Sequence, residues 1–256
     1  MLNKLKEFYF NHTSCFSERF EKDGIQFLFS KYVKDHYSNI AVVDSSSNLS
    51  LAEAEFKERN LNPSYYSFEK PTKDFEITYT DDFLFLEDIT LLYKKFSRFK
   101  SKHVSLQEVC SKELENEFQI INNDCYSDLS AENPYPDLDN FAYSNSVLEY
   151  KKHETETTTK IYIIKFNKTN VGCINITIKK DLCYISGLAI LKEYRKTKVF
   201  SVLVDILKIL IDNNVKSIFC VTELDGYPDQ LYKKLGFKSL GVAYGYKNKT
   251  FKKEKL

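Results

Sequence analysis

Leu231-Tyr232-Lys233-Lys234-Leu235-Gly236-Phe237 reads as the last turns of a helix closed by a glycine and followed by an apolar anchor. Gly236 supplies the left-handed residue that commonly ends a helix, and Phe237 returns the chain to a core. On the N-terminal side, Ile218-Phe219-Cys220-Val221 is an apolar run of strand length. On the C-terminal side, Lys238-Ser239-Leu240-Gly241 leads into a Tyr-rich strand from Val242 to Tyr246. Strand, short helix and strand in succession point to a mixed α/β arrangement.

Further upstream the pattern is equally regular. Val199, Val202, Leu203, Ile206, Leu207, Leu210 and Ile211 make one apolar helical stripe, with Asp205, Lys208 and Asp212 facing away and Asn213-Asn214 as the stop. Two hairpin segments precede it. Lys160 to Phe166 is followed by the turn Asn167-Lys168-Thr169-Asn170, and Gly172 to Ile178 places Ile174, Ile176 and Ile178 on one face, Asn175 and Thr177 on the other. The turn Lys179-Lys180-Asp181 leads into Leu182 to Leu191, which Gly187 interrupts as a bulge or a close backbone approach would. Ser111 to Cys125 is a helix with Leu114, Phe118, Ile121 and Cys125 on one side. The segment Ser127 to Asn140, with Pro134 and Pro136, is too irregular for a core and suits a substrate-lining loop.

The N-terminal part carries weaker signals. Ser50-Leu51-Ala52-Glu53 has the form of a capping box opening a helix towards Arg59. Pro63 ends that helix, Tyr65-Tyr66-Ser67-Phe68 reads as an edge strand, and Ile77-Thr78-Tyr79 and Phe83-Leu84-Phe85 suggest two more. The polar stretch Ser97 to Lys102 marks a boundary before a new strand at Val104-Ser105-Leu106. The expected architecture is therefore mixed α/β, a mostly antiparallel central sheet flanked by helices, with a smaller α/β lobe at 1–100 and the main domain at 101–256.

Bulk properties narrow the functional classes. The chain has 256 residues, 43% hydrophobic and 15% aromatic, so it can build sizeable cores. With 37 Lys and Arg against 36 Asp and Glu, nothing drives the whole molecule towards nucleic acid or an anionic membrane. Six scattered cysteines without CxxC spacing fit a reduced setting and argue against zinc. Residues 1–10 do not resemble a secretory signal, and no run approaches the ~20 apolar residues of a membrane span. A soluble, cytoplasmic protein without metal, nucleic-acid or membrane partners is expected; its oligomeric state is open. There is no Gly-x-Ser-x-Gly elbow and no phosphate-binding Gly-rich Lys-Ser/Thr loop.

The order of elements over residues 111–246, with Tyr232-x-x-x-Gly236-Phe237 at its end and Glu193-Tyr194-Arg195 before the long helix, resembles the GNAT family of N-acetyltransferases. The helix leading into Arg59-Asn60-Leu61-x-Pro63-Ser64-x-Tyr66 is similar to the degenerate first lobe of tandem GNAT proteins. The resemblance implies transfer of an acetyl group from acetyl-coenzyme A to a primary amine of a small molecule, amino acid or peptide.

It also implies site residues. The coenzyme A pyrophosphate would lie at the start of the long helix, on Arg195, Lys196, Thr197, Lys198, Val199 and Phe200. The family keeps two glycine or small positions there, where this chain has Lys198 and Phe200, and glycine matters because backbone N–H groups must approach the phosphates. Two readings follow: lysines compensate for the lost backbone contacts, or the domain is a catalytically inactive module that senses an acyl-coenzyme A or holds a partner. The end of the Leu182 to Leu191 strand, at Leu188, Ala189 and Ile190, would offer a backbone N–H to the thioester carbonyl. Tyr232 falls at the position of the acid that protonates the departing thiolate. Asp225 stands where the family usually has Asn, and Pro228 where it has a small residue; Asp225-Gly226 is also a turn dipeptide in its own right. The central strand holds no carboxylate, so a general base is sought from water or from the 127–140 loop, at Asp137 or Asp139. Tyr126, Tyr135, Phe141 and Tyr143 could line the acceptor pocket, and His103 and His153 read as surface residues.

Overall fold

The computed structural model describes residues 1–14, 17–30, 37–126, 140–153, 156–195 and 201–249. Its first half runs α1 (Leu2–Ser14), β1 (Ser17–Lys22), β2 (Ile25–Ser30), β3 (Asn39–Val42), α2 (Leu49–Glu58), β4 (Tyr65–Ser67), β5 (Phe75–Leu86) and α3 (Ile89–Phe96). The second half runs β6 (Val104–Glu108), α4 (Lys112–Tyr126), α5 (Asn140–His153), β7 (Thr158–Phe166), β8 (Thr169–Lys179) and β9 (Leu182–Ile190). It continues with α6 (Val202–Asp212), β10 (Ser217–Glu223), α7 (Tyr227–Leu235) and β11 (Lys238–Asn248).

All described strands join one sheet in the order β1-β2-β3-β4-β11-β5-β10-β9-β8-β7-β6. Apart from edge strand β6, the order is palindromic when β1 to β5 are matched with β7 to β11. The pairing senses match too. β1 with β2 and β7 with β8 are antiparallel, as are β2 with β3 and β8 with β9. β3 with β4 and β9 with β10 are parallel, and helices α2 and α6 make the two crossovers. The last strand of each half crosses over: β5 pairs with β10 and β11 with β4, both antiparallel. Each half thus completes the sheet of the other.

Helices cover both faces, as the two-sided burial of the central strands requires. Residues of α3, α6 and α7 pack on Ile174, Ile176, Ile185 and Ile218, while α2 covers Ala41, Tyr65 and Tyr246 on the same side. On the other side α1 covers Phe83, Tyr184 and Phe219, and α4 and α5 cover Ile161, Ile163 and Cys173. Among the described residues no helix is long and apolar enough to cross a membrane.

Three local expectations change. Asn48, not Ser50, caps α2, because its side chain accepts from the Ser50 N–H. The two short strands at 77–79 and 83–85 are one strand, β5. Tyr65-Tyr66-Ser67 is interior rather than an edge, since β11 from the far end of the chain pairs with it; a partner so distant leaves no local trace. By contrast, Asn167 and Lys168 adopt positive φ in the expected β7–β8 turn, and the register shift opposite Gly187 is a real bulge.

Candidate active site

The two parallel strands of the second half part company. β9 and β10 pair from Leu182 with Ser217 to Ile185 with Cys220, and no further. β9 nevertheless continues to Ile190, paired only with β8, and β10 continues to Glu223, paired only with β5. The divergence starts at the bulge, where Asn175 pairs with Gly187 and Ile176 with Ile185. In the first half β3 ends at Val42, which is still paired with Tyr66. Among the described residues the opening belongs to the second half alone.

Its β9 wall offers backbone that no neighbouring strand pairs on the side of the opening. The Leu191 N–H donates to the Val171 carbonyl (2.9 Å). Alternation from that bond along an antiparallel ladder directs Ala189 towards β8 and leaves the peptide groups of Leu188 and Ile190 facing the opening. Gly172, opposite Ile190, lets the strands approach: a Cβ there would overlap the Ala189 carbonyl oxygen and lie 3.1 Å from Ile190 Cα. Arg195 donates from Nε to the Ile190 carbonyl (2.9 Å) and from Nη2 to the Cys125 carbonyl (3.2 Å), which ties the end of β9 to the end of α4. Lys196, Thr197, Lys198, Val199 and Phe200 lie outside the described residues, as does the 127–139 loop with Tyr135, Asp137 and Asp139.

The β10 wall is braced by α7. That helix ends as expected, with Gly236 at φ 104° and Phe237 buried against Tyr232 (ring centroids 5.0 Å apart). Tyr232 is 5% exposed, and burial holds its phenol pKa well above the ordinary value, with Cys220 and Tyr126 adding to the rise. Tyr126 ends α4, on the opposite face of the sheet. A phenol in that state stays protonated at neutral pH, so it can hydrogen-bond to, and give its proton to, an anion that forms beside it.

Asp225 is exposed and takes φ 62° in the turn before α7. Its N–H donates to Asp229 Oδ2 (3.1 Å) and its carbonyl accepts from Gln230. Behind it lies a buried ionic cluster that sequence reading did not find. Asp82 from β5 and Asp229 from α7 are both fully buried, and Lys233 Nζ lies 2.8 Å from each. Thr222 of β10 donates to Asp229, and Ser239 of β11 donates to Asp82. Asp82 is sequence-remote from its partners, so no local motif announces the cluster.

Glu223, the last residue of β10, was also missed, because the apolar run ends at Val221. Strand alternation puts Thr222 with α7 on one face and Glu223 on the other, the face of α1 and α4. Desolvation raises its carboxyl pKa. On that same face His12 is buried against Tyr184 and Thr177, and burial drives its imidazole pKa down to about 3. Four cysteines, Cys125, Cys173, Cys183 and Cys220, are buried, and burial pushes the Cys125 thiol up to about 12; these are core residues rather than nucleophiles. A groove of about 630 Å³ lies between residues 96–103 and α6.

Similarity to known proteins agrees with this geometry. Residues 118–237 match the acetyltransferase (GNAT) family. A GCN5-related N-acetyltransferase from Kribbella flavida superposes with TM-score 0.63 at 14% identity, over 96% of this chain and 95% of that one. A conserved protein of unknown function from Staphylococcus epidermidis gives 0.64 at 13%, over 91% and 94%. A tandem GNAT protein from the clavulanic acid biosynthesis pathway gives 0.56 at 9%, over 88% and 80%. No curated protein matches the chain in sequence. Residues 118–237 therefore match the GNAT acetyltransferase family, on a chain whose whole fold is like that of GNAT acetyltransferases.

Proposed function

We propose that the chain moves an acetyl group from acetyl-coenzyme A to a primary amine of a small molecule, amino acid or peptide. The observation that carries this reading is the separation of β9 from β10 beyond Ile185 and Cys220, with the buried Tyr232 on the helix that follows β10. An extended thioester arm with amide groups suits an unpaired strand edge, because backbone N–H and C=O groups otherwise lack partners. In this reading the N–H groups of Leu188 and Ile190 face the arm and its reacting carbonyl, with Ala189 holding the strand against β8. An N–H placed there stabilises the oxyanion that forms when an amine attacks. Tyr232 returns a proton to the departing sulfur.

Arg195 has five N–H groups, and two serve the scaffold; the others, with Lys196, Thr197, Lys198, Val199 and Phe200, would hold the pyrophosphate. Asp225 shapes the turn that starts α7 beside the arm. We assign residues 1–100 to a GNAT-like lobe that lends β5 and carries no transfer site. Its β4–β5 connection, residues 68–74, contains no helix corresponding to α7, so it has no counterpart of Tyr232.

Replacing Tyr232 by Phe tests the assignment. Turnover should fall at least tenfold while acetyl-coenzyme A affinity stays unchanged. Equal turnover in both proteins would remove Tyr232 from the chemistry. Cofactor binding without turnover in either would favour an acyl-coenzyme A sensor, the reading that Lys198 and Phe200 support.

A further inference from the structure

An amine acceptor reaches a neutral-pH active site mostly as an ammonium ion, which has no lone pair to attack with. A group must take its proton, and β9 itself holds no carboxylate to do so. We propose that Glu223 is the general base of the transfer, an inference that rests on the acetyltransferase reading above.

Three observations place it. Glu223 ends the stretch of β10 that has left β9 and is held only by β5, through its pairing with Asp81. The next residue fixes the strand end, since the Leu224 N–H donates to the Thr80 carbonyl (2.8 Å) and the Gly226 N–H to the Glu223 carbonyl (3.1 Å). The carboxylate lies beside the turn, where a Cβ on Gly226 would sit 3.4 Å from Glu223 Oε2. Secondly, the side chain emerges on the face opposite α7, so the base and the acid Tyr232 lie on opposite faces of the sheet. That suits an amine and a leaving thiolate that stand on opposite sides of one carbonyl carbon. Thirdly, among the described residues the Glu223 carboxylate has no ion-pair or hydrogen-bond partner, although it is half-buried.

Other charged groups near it are engaged. Asp81, across the strand pair, accepts from the Tyr66 hydroxyl (2.9 Å), and Lys6 of the covering helix α1 sits over the Phe68 ring (3.4 Å). Asp225 follows in the exposed turn. Desolvation lifts the Glu223 carboxyl towards the range useful for a base at neutral pH.

The step balances as follows. Glu223 takes one proton from the ammonium nitrogen and passes it to water. The nitrogen lone pair forms the C–N bond to the carbonyl carbon, and the C–S bond breaks as the tetrahedral intermediate collapses. The thiolate takes a proton from Tyr232, which is restored by the second proton the nitrogen loses.

The test compares the full-length protein with E223Q, using acetyl-coenzyme A and two acceptors: an alkylamine, and an arylamine already neutral at pH 7. E223Q should lose about a hundredfold or more in kcat/KM for the alkylamine at pH 7, together with the acid limb of the pH profile. It should keep wild-type rates with the arylamine and the wild-type thermal shift with acetyl-coenzyme A. Alkylamine rates within threefold of wild type, with the acid limb intact, would overturn the assignment. So would an equal loss on both acceptors. If E223Q does not fold, the wild-type profiles decide: the acid limb must appear with the alkylamine and vanish with the arylamine. Absence of transfer to any amine by the wild-type protein would overturn the acetyltransferase reading itself, and this assignment with it.

Discussion

Lys233→Met strikes the point where the two halves of the chain meet. Among the described residues, Lys233 is the single cation within ion-pair distance of two fully buried carboxylates, Asp82 from the exchanged strand β5 and Asp229 from α7, at 2.8 Å each. Removing one member of a buried pair costs about 3 to 5 kcal/mol, because a charge is left without compensation. The Lys233 side chain is 37% exposed, so solvent screens part of that and about 2 to 3 kcal/mol is expected. For a chain of this length that lowers the thermal midpoint by about 5 to 10 °C. Asp82→Asn should cost less, about 1 kcal/mol, since an amide can still accept from Ser239 and Lys233 keeps Asp229. Combined with Lys233→Met it should restore part of the loss, because only one buried carboxylate remains unpaired. The pair should therefore be non-additive by about 1 kcal/mol or more in a double-mutant cycle followed by urea unfolding. Additive losses, or a Lys233→Met midpoint within 2 °C of wild type (roughly 1 kcal/mol), would refute the account of this cluster. The two carboxylates hold the Lys233 ammonium pKa above the usual lysine range. Its contribution is then complete below the ordinary lysine pKa and lost only as pH rises through the raised value, so these differences should be flat from about pH 6 to 9.

Further outcomes follow from the same contacts. Gly172→Ala must push backbone against backbone at Ala189 and Ile190; a loss of about 1 to 3 kcal/mol should come with weaker acetyl-coenzyme A binding, measured by calorimetry. Arg195→Ala should cost about 2 kcal/mol by freeing the Ile190 and Cys125 carbonyls, and Arg195→Lys should recover little, since a point charge cannot reproduce the fork. His12 has a folded pKa of about 3 against an unfolded value near 6.5. Its stabilisation is complete above pH 6.5 and falls by about 1.4 kcal/mol for each unit below it, so His12→Gln should flatten unfolding free energy between pH 6.5 and 4.5.

Much of the second half was legible because its signals are local. The alternation of Ile174, Ile176 and Ile178, the glycine that closes α7 and the stripe on α6 each lie within one element. Gly187 was read as a bulge or close approach, and the bulge beside it is where the sheet opens. Tyr232 could be named from its helix, but its burial comes from packing that no spacing records. The polar side of β8 was misleading in a useful way: Asn175 and Thr177 look like a solvent face, yet both are buried. The first half was harder. α1 and the β1–β2 hairpin have short, mixed patterns, and β4 and β5 owe their places to β11 and β10. Asp82 and Glu223 went unnoticed for a related reason, since their environments come from chain crossings between the halves.

The most direct measurement is the thermal midpoint with and without saturating acetyl-coenzyme A. If the opening between β9 and β10 takes the thioester arm, ligand at about 100 times its dissociation constant adds about 2.7 kcal/mol and raises the midpoint by about 5 to 10 °C. No rise at millimolar ligand would contradict the account, because the strand edge at Leu188 and Ile190 would then hold no acyl donor.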